Sequence, residues 1–247
     1  MTTFVISLAG IPIRISALYE STARYCAGYF CDEAPLVEIR MDPEDIARER
    51  FTALREDELE GLPQRGYSDA YLETLAVYRK IAAALLDHDI LLYHGSALAY
   101  DGKAYLFTAP SGTGKTTHSR LWLSEIPGAH ILNGDKPLLR IENDRAYACG
   151  TPWRGKEKYG RNEILPLEAI CILERDTHNH IEPVSFRDAL PVLLAQCNRP
   201  DDAQPMLRTL ELIGRLGRMT RLYRLGCNME PEAARVSFRA MCQNAGS

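Results

Sequence analysis

One run of residues has the types and spacing to do chemistry: Ala109-Pro110-Ser111-Gly112-Thr113-Gly114-Lys115-Thr116-Thr117. It fits the phosphate-loop (Walker A) pattern, with alanine where the first glycine usually stands. Gly112 and Gly114 let the backbone turn its N–H groups inward around a polyphosphate, because glycine takes positive φ without steric cost. A helix starting just after Gly114 would point its positive end at the same anion. Lys115 is placed to reach the β- and γ-phosphates, and the Thr116 hydroxyl to ligate Mg²⁺. An apolar strand before the run and a helical pattern after it supply the context the motif requires. The run by itself specifies a nucleoside triphosphate site.

A second group stands 20 residues beyond Lys115. Asp135, in Ile131-Leu132-Asn133-Gly134-Asp135, follows a short apolar segment. An acid at the end of the next strand is positioned to hold Mg²⁺ or to take a proton from an attacking hydroxyl. The loop 151–163 carries Arg154, Lys156, Lys158 and Arg161 against Glu157 and Glu163. Gly155 and Gly160 give it the character of a lid, with Arg154, Lys156 and Arg161 neutralising phosphoryl charge. Trp153 either stacks on a base or packs. Arg215, Arg218, Arg221 and Arg224 do not share one face and read as surface residues. Asp176, His178 and His180 read as a polar turn between strands rather than a metal cluster.

These groups need a scaffold. Lys103–Thr108 is expected as the strand entering the phosphate loop, paired through an Asp101-Gly102 hairpin with one continuous strand over residues 90–100. Residues 115–125 read as a helix, and 138–141 and 146–149 as a hairpin. Leu167–Leu173 is a near-continuous apolar run of the kind buried on both faces of a sheet. Ser185 caps a helix to about Cys197, with Asp188 three residues on. A helix over 203–216, a strand over 222–227 and a closing helix over 231–243 complete the core. Ahead of it, Phe4–Leu8 and Ile11–Ile15 alternate as two strands joined at Ala9-Gly10. Residues 18–30 read as helical and Leu36–Arg40 as a strand. Asp42-Pro43 opens a helix. Residues 42–60 hold eight acids against Arg48, Arg50 and Arg55, the pattern of a solvated face and linker. GLPQRG at 61–66 is the expected boundary, dividing a small annex, 1–66, from the domain that carries the phosphate-loop run, 67–247. Tyr71, Leu72, Leu75, Tyr78, Ile81 and Leu85 recur at helical spacing just after it. The class is α/β with a mixed sheet and an N-terminal α/β annex.

Composition narrows the classes. The 247 residues are 46% apolar and 25% charged, ordinary for a globular chain, with a net charge of −4. That balance argues against a general nucleic-acid partner. No apolar run approaches a membrane span, and the N-terminus lacks a basic cluster before its apolar stretch. Seven cysteines with no CxxC fit reduced thiols. The expected setting is cytoplasmic, with no membrane and no nucleic-acid partner.

Together His94-Gly95-Ser96, the Asp101-Gly102 hairpin, SGTGKTTHS and NGD resemble the catalytic core of the HPr kinase/phosphorylase and phosphoenolpyruvate carboxykinase superfamily. The resemblance covers about residues 90–175. It implies a mixed-sheet P-loop kinase core, ATP and Mg²⁺ as cofactors, phosphate contacts along Ser111, Gly112, Thr113, Gly114, Lys115, Thr116 and Thr117, and catalytic or metal-binding roles for Asp135 and Thr116. It also sets His94 near the transferred phosphate, against the alternative of a structural histidine. Two departures shape the expectation. The family usually has two adjacent acids where this chain has Asp135-Lys136, so either one acid serves as both metal ligand and base or another residue supplies one role. The segment Gly150–Lys156 lacks the acid of the family's second motif. What the resemblance implies is a compact kinase for a hydroxyl acceptor, a serine of a peptide or protein or a small metabolite, with a homo-oligomer left open. The alternative is a nucleotide-binding regulatory module without phosphotransfer.

Overall fold

The computed structural model describes residues 1–59, 61, 63, 66–155, 157–198, 200 and 202–243. The chain divides into two compact units, Met1–Leu85 and Leu86–Ser247.

In the first unit β1 (Thr2–Leu8) and β2 (Ile11–Ala17) form the expected hairpin, with Ala9 and Gly10 at positive φ in its turn. Helix α1 (Glu20–Cys26) follows, and β3 (Val37–Arg40) lies parallel to β2. Two 17-residue helices complete the unit, α2 (Pro43–Leu59) and α3 (Asp69–Leu85). The acids from Asp42 to Glu58 form a solvated face only in part: Asp42, Glu44, Glu56 and Glu58 are exposed, but the segment is a helix packed on α3 rather than a linker. Asp45 pairs with Lys80 of α3, and Arg79 of α3 bridges Glu49 and Glu56. Asp45, Glu49 and Asp57 are buried, because α3 supplies their cations and Tyr67 donates to Asp57. Helix α3 thus belongs with the first unit, and the division falls at Leu85 rather than after residue 66. Half of the expected boundary loop, Leu62, Gln64 and Arg65, lies outside the described residues.

Glu73 of α3 anchors the chain where it enters α1. Helix α1 has no side-chain cap of its own. The fully buried Glu73 carboxylate accepts from the amides of Leu18 (2.5 Å) and Tyr19 (3.1 Å) and from the Thr22 hydroxyl (2.5 Å). Glu73→Ala leaves these donors unsatisfied and is expected to destabilise the protein by about 3 kcal/mol. Denaturant unfolding measures this, and a midpoint equal to wild type would refute it.

The second unit is a mixed sheet between two helical layers. After α3 come β4 (Ile90–Leu92), β5 (Ser96–Tyr100), β6 (Lys103–Thr108), α4 (Lys115–Glu125), β7 (His130–Asn133), β8 (Leu138–Glu142) and β9 (Arg145–Cys149). Then follow β10 (Ile164–Arg175), β11 (His180–Pro183), α5 (Phe186–Ala195), α6 (Ala203–Met219), β12 (Arg221–Cys227) and α7 (Glu232–Phe238). Among the described residues the sheet has nine strands, ordered β4-β8-β9-β10-β6-β5-β7, with β12 between β10 and β11. Strand β10 runs parallel to β12 and, with a bulge at Leu167/Ala169, to β6, while its start, Ile164–Pro166, pairs antiparallel with β9.

Alternation along β6 and β10 builds two cores, as a sheet covered on both faces requires. Leu106, Ile170 and Ile172 pack with Leu193 of α5 and Leu212 and Leu216 of α6. Tyr105, Phe107 and Cys171 pack on the other face with Trp122 of α4 and Ala234 of α7. Ser185 caps α5, accepting from the Asp188 amide. Asp176 and His178 form the turn into β11. Among the described residues no helix is long and apolar enough to cross a membrane.

The apolar run 90–100 is not one strand. It breaks at Tyr93-His94-Gly95, so that β4 pairs with β8 while β5 joins β6 and β7. At the break the His94 amide turns to Gln196 O (2.8 Å) and the Gly95 amide to Asp135 O (2.9 Å). Gly95 is required there, since a Cβ would meet Leu106 Cδ1 and Phe107 O at 3.0 Å.

Candidate active site

The expected site residues sit where β6 ends and α4 begins. Gly112 (φ +76°) and Gly114 (φ +129°) have the conformations that side chains disfavour, with open space around both. Their need is for the dihedral itself. Gly114 is the N-cap of α4 and offers no side-chain cap, so the first amides of an 11-residue helix face the loop. Lys115 spans the loop mouth, its Nζ donating to Ala109 O (2.8 Å) and Pro110 O (3.4 Å).

Helix α4 is pinned behind these residues. Ser119 donates to Lys115 O (2.9 Å), which leaves Ser96 of β5 to donate to Ser119 (2.7 Å). Ser237 of α7 gives its proton to Ala234 O, so His118 Nε2 and Trp122 Nε1 both donate to its oxygen. Burial pushes the His118 imidazole down to about 3 and keeps it neutral.

Asp135 is held by a turn that Asn133 organises. The fully buried Asn133 accepts the amides of Asp135 (2.9 Å) and Lys136 (2.7 Å) on Oδ1. Its Nδ2 donates to Thr151 Oγ1 (2.9 Å) and to the Thr151 and Trp153 carbonyls. Thr151 in turn donates to Lys136 O (2.9 Å). The break in the 90–100 run brings His94 to this turn: its Nε2 lies 3.5 Å from Asp135 Oδ1, and Lys136 Nζ lies 3.8 Å from Oδ2. Burial alone would raise the Asp135 carboxyl. The hydrogen bond from His94 and the charges of Lys136, His94 and Lys115 outweigh it and hold the acid below the usual carboxylate range.

A pH expectation follows from that direction. A depressed carboxyl contributes stability above its unfolded value, about 3.9, and loses it as pH falls through the lower folded value. Asp135→Asn, which mimics the protonated acid, should therefore melt below wild type at pH 7, and the two curves should converge only below about pH 4. Melting scans across pH test this; a constant gap would rule it out.

The loop 151–163 crosses this turn as a tethered strap. It leaves from buried Thr151 and Trp153, so Trp153 packs rather than presenting a face for stacking. Gly155 (φ +73°) lies against Asp135, where a Cβ would come within 2.9 Å of the aspartate Cβ. Glu157 pairs with Arg120 of α4 at 2.7 Å. The strap returns along the edge of β7, with Gly134 N to Tyr159 O at 3.2 Å and Arg161 N to Leu132 O at 3.0 Å. Gly150 and Gly160 permit this close passage: a Cβ on Gly150 would run into Arg161 O, and one on Gly160 would meet Leu132 O at 3.0 Å.

The candidate residues are distributed as follows. Lys115, His94 and Asp135 converge, joined by Lys136. Arg154 lies in the strap, with Nε 3.4 Å from Thr151 O. The Arg161 guanidinium faces Glu163, which also meets His130 of β7 at 2.9 Å. Lys156 lies outside the described residues. Arg215 pairs with Asp89, Arg221 with Glu168 and Arg224 with Glu174. Thr151 carries no motif, and Asn133 stands in Asn-Gly-Asp with no role assigned to its own side chain. The Asn-Gly-Asp sequence is the one signal for such a turn, because asparagine bonds its own backbone two residues on.

No family model and no curated protein matches the sequence. A solved structure of the HPr(Ser) kinase/phosphatase from Coxiella burnetii aligns with 51% of this chain and 96% of its own, at 16% identity and a TM-score of 0.30, a weak structural similarity.

Proposed function

We propose that this chain is an ATP- and Mg²⁺-dependent kinase that transfers the γ-phosphoryl group to a hydroxyl acceptor, a serine of a peptide or protein or a small metabolite. The observation that carries the reading is the convergence of a phosphate-type loop with one ionised acid, whose carboxylate feels the Lys115 charge.

The residues suit the groups they would hold. Two glycines at positive φ and an uncapped helix start suit a polyphosphate. The Thr116 hydroxyl and the Asp135 carboxylate are hard oxygen donors, as Mg²⁺ prefers. Bound Mg²⁺ would offset charge on the phosphate oxygens. Lys115 adds a fixed positive charge at the same point. Asp135 orients the acceptor hydroxyl and takes its proton as the new oxygen–phosphorus bond forms and ADP leaves. His94 and Lys136 keep that carboxylate ionised until the proton arrives.

The rival reading is a nucleotide-binding module without transfer. It draws on the same site: each Asp135 oxygen already faces a basic group, and Lys136 stands where a second acid would help. Incubation with labelled ATP, Mg²⁺ and a panel of serine peptides and hydroxylated metabolites separates the two. Label in an acceptor, or slow hydrolysis, supports the kinase. Saturable ATP binding with neither supports the module.

A further inference from the structure

The geometry points to Arg175 as a positioning residue for the phosphate loop. The inference rests on the reading of that loop as an ATP site.

Arg175 is the last residue of β10, which runs parallel to β6. Ile172 lies beside Thr108, so Arg175 stands three residues, about 10 Å, further along, level with the loop. Its own backbone is fixed on the far side by β12, in register with Cys227. From there its guanidinium reaches across, Nη2 donating to Gly112 O at 2.6 Å and Nε to Thr113 O at 3.4 Å.

Those two carbonyls belong to the peptide units whose amides are Thr113 N–H and Gly114 N–H. In a trans peptide the C=O and N–H point in opposite directions. An arginine that holds both carbonyls outward therefore turns both amides inward. The inward side is identifiable: the Thr113 amide bonds Pro110 O at 3.3 Å, the oxygen that Lys115 Nζ also approaches at 3.4 Å. Gly112 at φ +76° gives this peptide freedom to rotate, and Arg175 removes that freedom. The side chain is exposed and stands at the rim of a cavity of about 590 Å³ walled by Ser111–Thr113 and Leu173. Its bonds are not needed to fill the core. Their effect falls on the order of the loop, and so on anion affinity.

The test compares wild type, Arg175→Ala and Arg175→Lys by calorimetric titration with ATP and Mg²⁺, and by melting with and without nucleotide. Without nucleotide, Arg175→Ala should melt where wild type does. It should bind ATP roughly tenfold more weakly, the scale of hydrogen bonds made by a charged donor. Millimolar guanidinium should restore much of the loss, and Arg175→Lys should fall between. Affinity equal to wild type overturns the proposal. So does a loss of affinity matched by a loss of nucleotide-free melting temperature and unrelieved by guanidinium. If Arg175→Ala does not fold, the lysine variant carries the same comparison. Failure of the wild-type chain itself to bind ATP overturns the phosphate-loop reading, a different result from equal affinity in both proteins.

Discussion

Lys115→Ala is expected to abolish phosphoryl transfer and to weaken ATP binding strongly, whereas Asp135→Asn abolishes transfer and leaves ATP binding close to wild type. The two effects separate because the residues act on different parts of the reaction. Lys115 stands at the start of α4 with its ammonium over the loop mouth, held by Ala109 O and Pro110 O. A polyphosphate offers that ammonium better acceptors than two carbonyls, since charge-assisted hydrogen bonds are about twice as strong as neutral ones. Its loss is felt in the bound ground state and in transfer alike. Asp135 faces the other way energetically. As an anion it makes no attractive contact with phosphate and would touch the nucleotide only through a share in Mg²⁺, which an asparagine oxygen can still ligate. On the proposed reading it orients and deprotonates the acceptor, a contribution of about 10²- to 10⁴-fold in rate. Asparagine keeps the shape of the turn, because Asn133 holds the main-chain amides rather than the side chain of residue 135. Rates with labelled ATP and dissociation constants from titration read both effects. Full transfer by Asp135→Asn would remove the acid from the mechanism.

The strand, the glycine turn and the helix around residues 103–125 were legible because their requirements are local. Glycine spacing, Lys-Thr and the flanking strand and helix all fall within about 25 residues, and short-range patterns record them. The strands that alternate were legible for the same reason. The break at Tyr93-His94-Gly95 was not. Nothing in an apolar run announces that its middle amides will be claimed by Gln196 and Asp135, from elements far along the chain. Asp45 and Glu49 of α2 misled in the same way. Seen along the sequence they look solvated, and their partners Arg79 and Lys80 lie about one helix further on. Thr151 and Arg175 position the site through bonds to main-chain atoms far along the sequence, at Lys136 and at Gly112 and Thr113. Such bonds depend on where the backbone passes, and residue type alone leaves no trace of them. Sequence therefore singled out Lys115, His94 and Asp135 as candidates, while the groups that hold them in place emerged from the fold.

Gly155→Ala should then cost far more than its size suggests. The residue sits at φ +73°, where an L-residue loses about 1–2 kcal/mol. Its new Cβ would also lie 2.9 Å from the Asp135 Cβ and 3.3 Å from its Cγ. Neither side yields easily. The strap is fixed on one flank by Glu157 to Arg120 and on the other by its bonds along β7, and Asp135 is fixed by Asn133. The contact is relieved only by lifting the strap or by turning the carboxylate away from His94 and Lys136. A displacement of about 1 Å at a catalytic group is worth up to about 10² in rate. Turnover should accordingly fall by about 10- to 100-fold while ATP affinity changes little, since the phosphate loop itself is untouched. Gly102→Ala separates this from backbone strain. Gly102 has nearly the same φ, +69°, at the β5–β6 hairpin, and its Cβ would meet nothing within 4 Å. That variant should lose stability alone and keep its rate. Turnover and titration on the two variants decide the matter: if Gly155→Ala keeps wild-type turnover, or if Gly102→Ala loses as much, the strap does not set the position of Asp135.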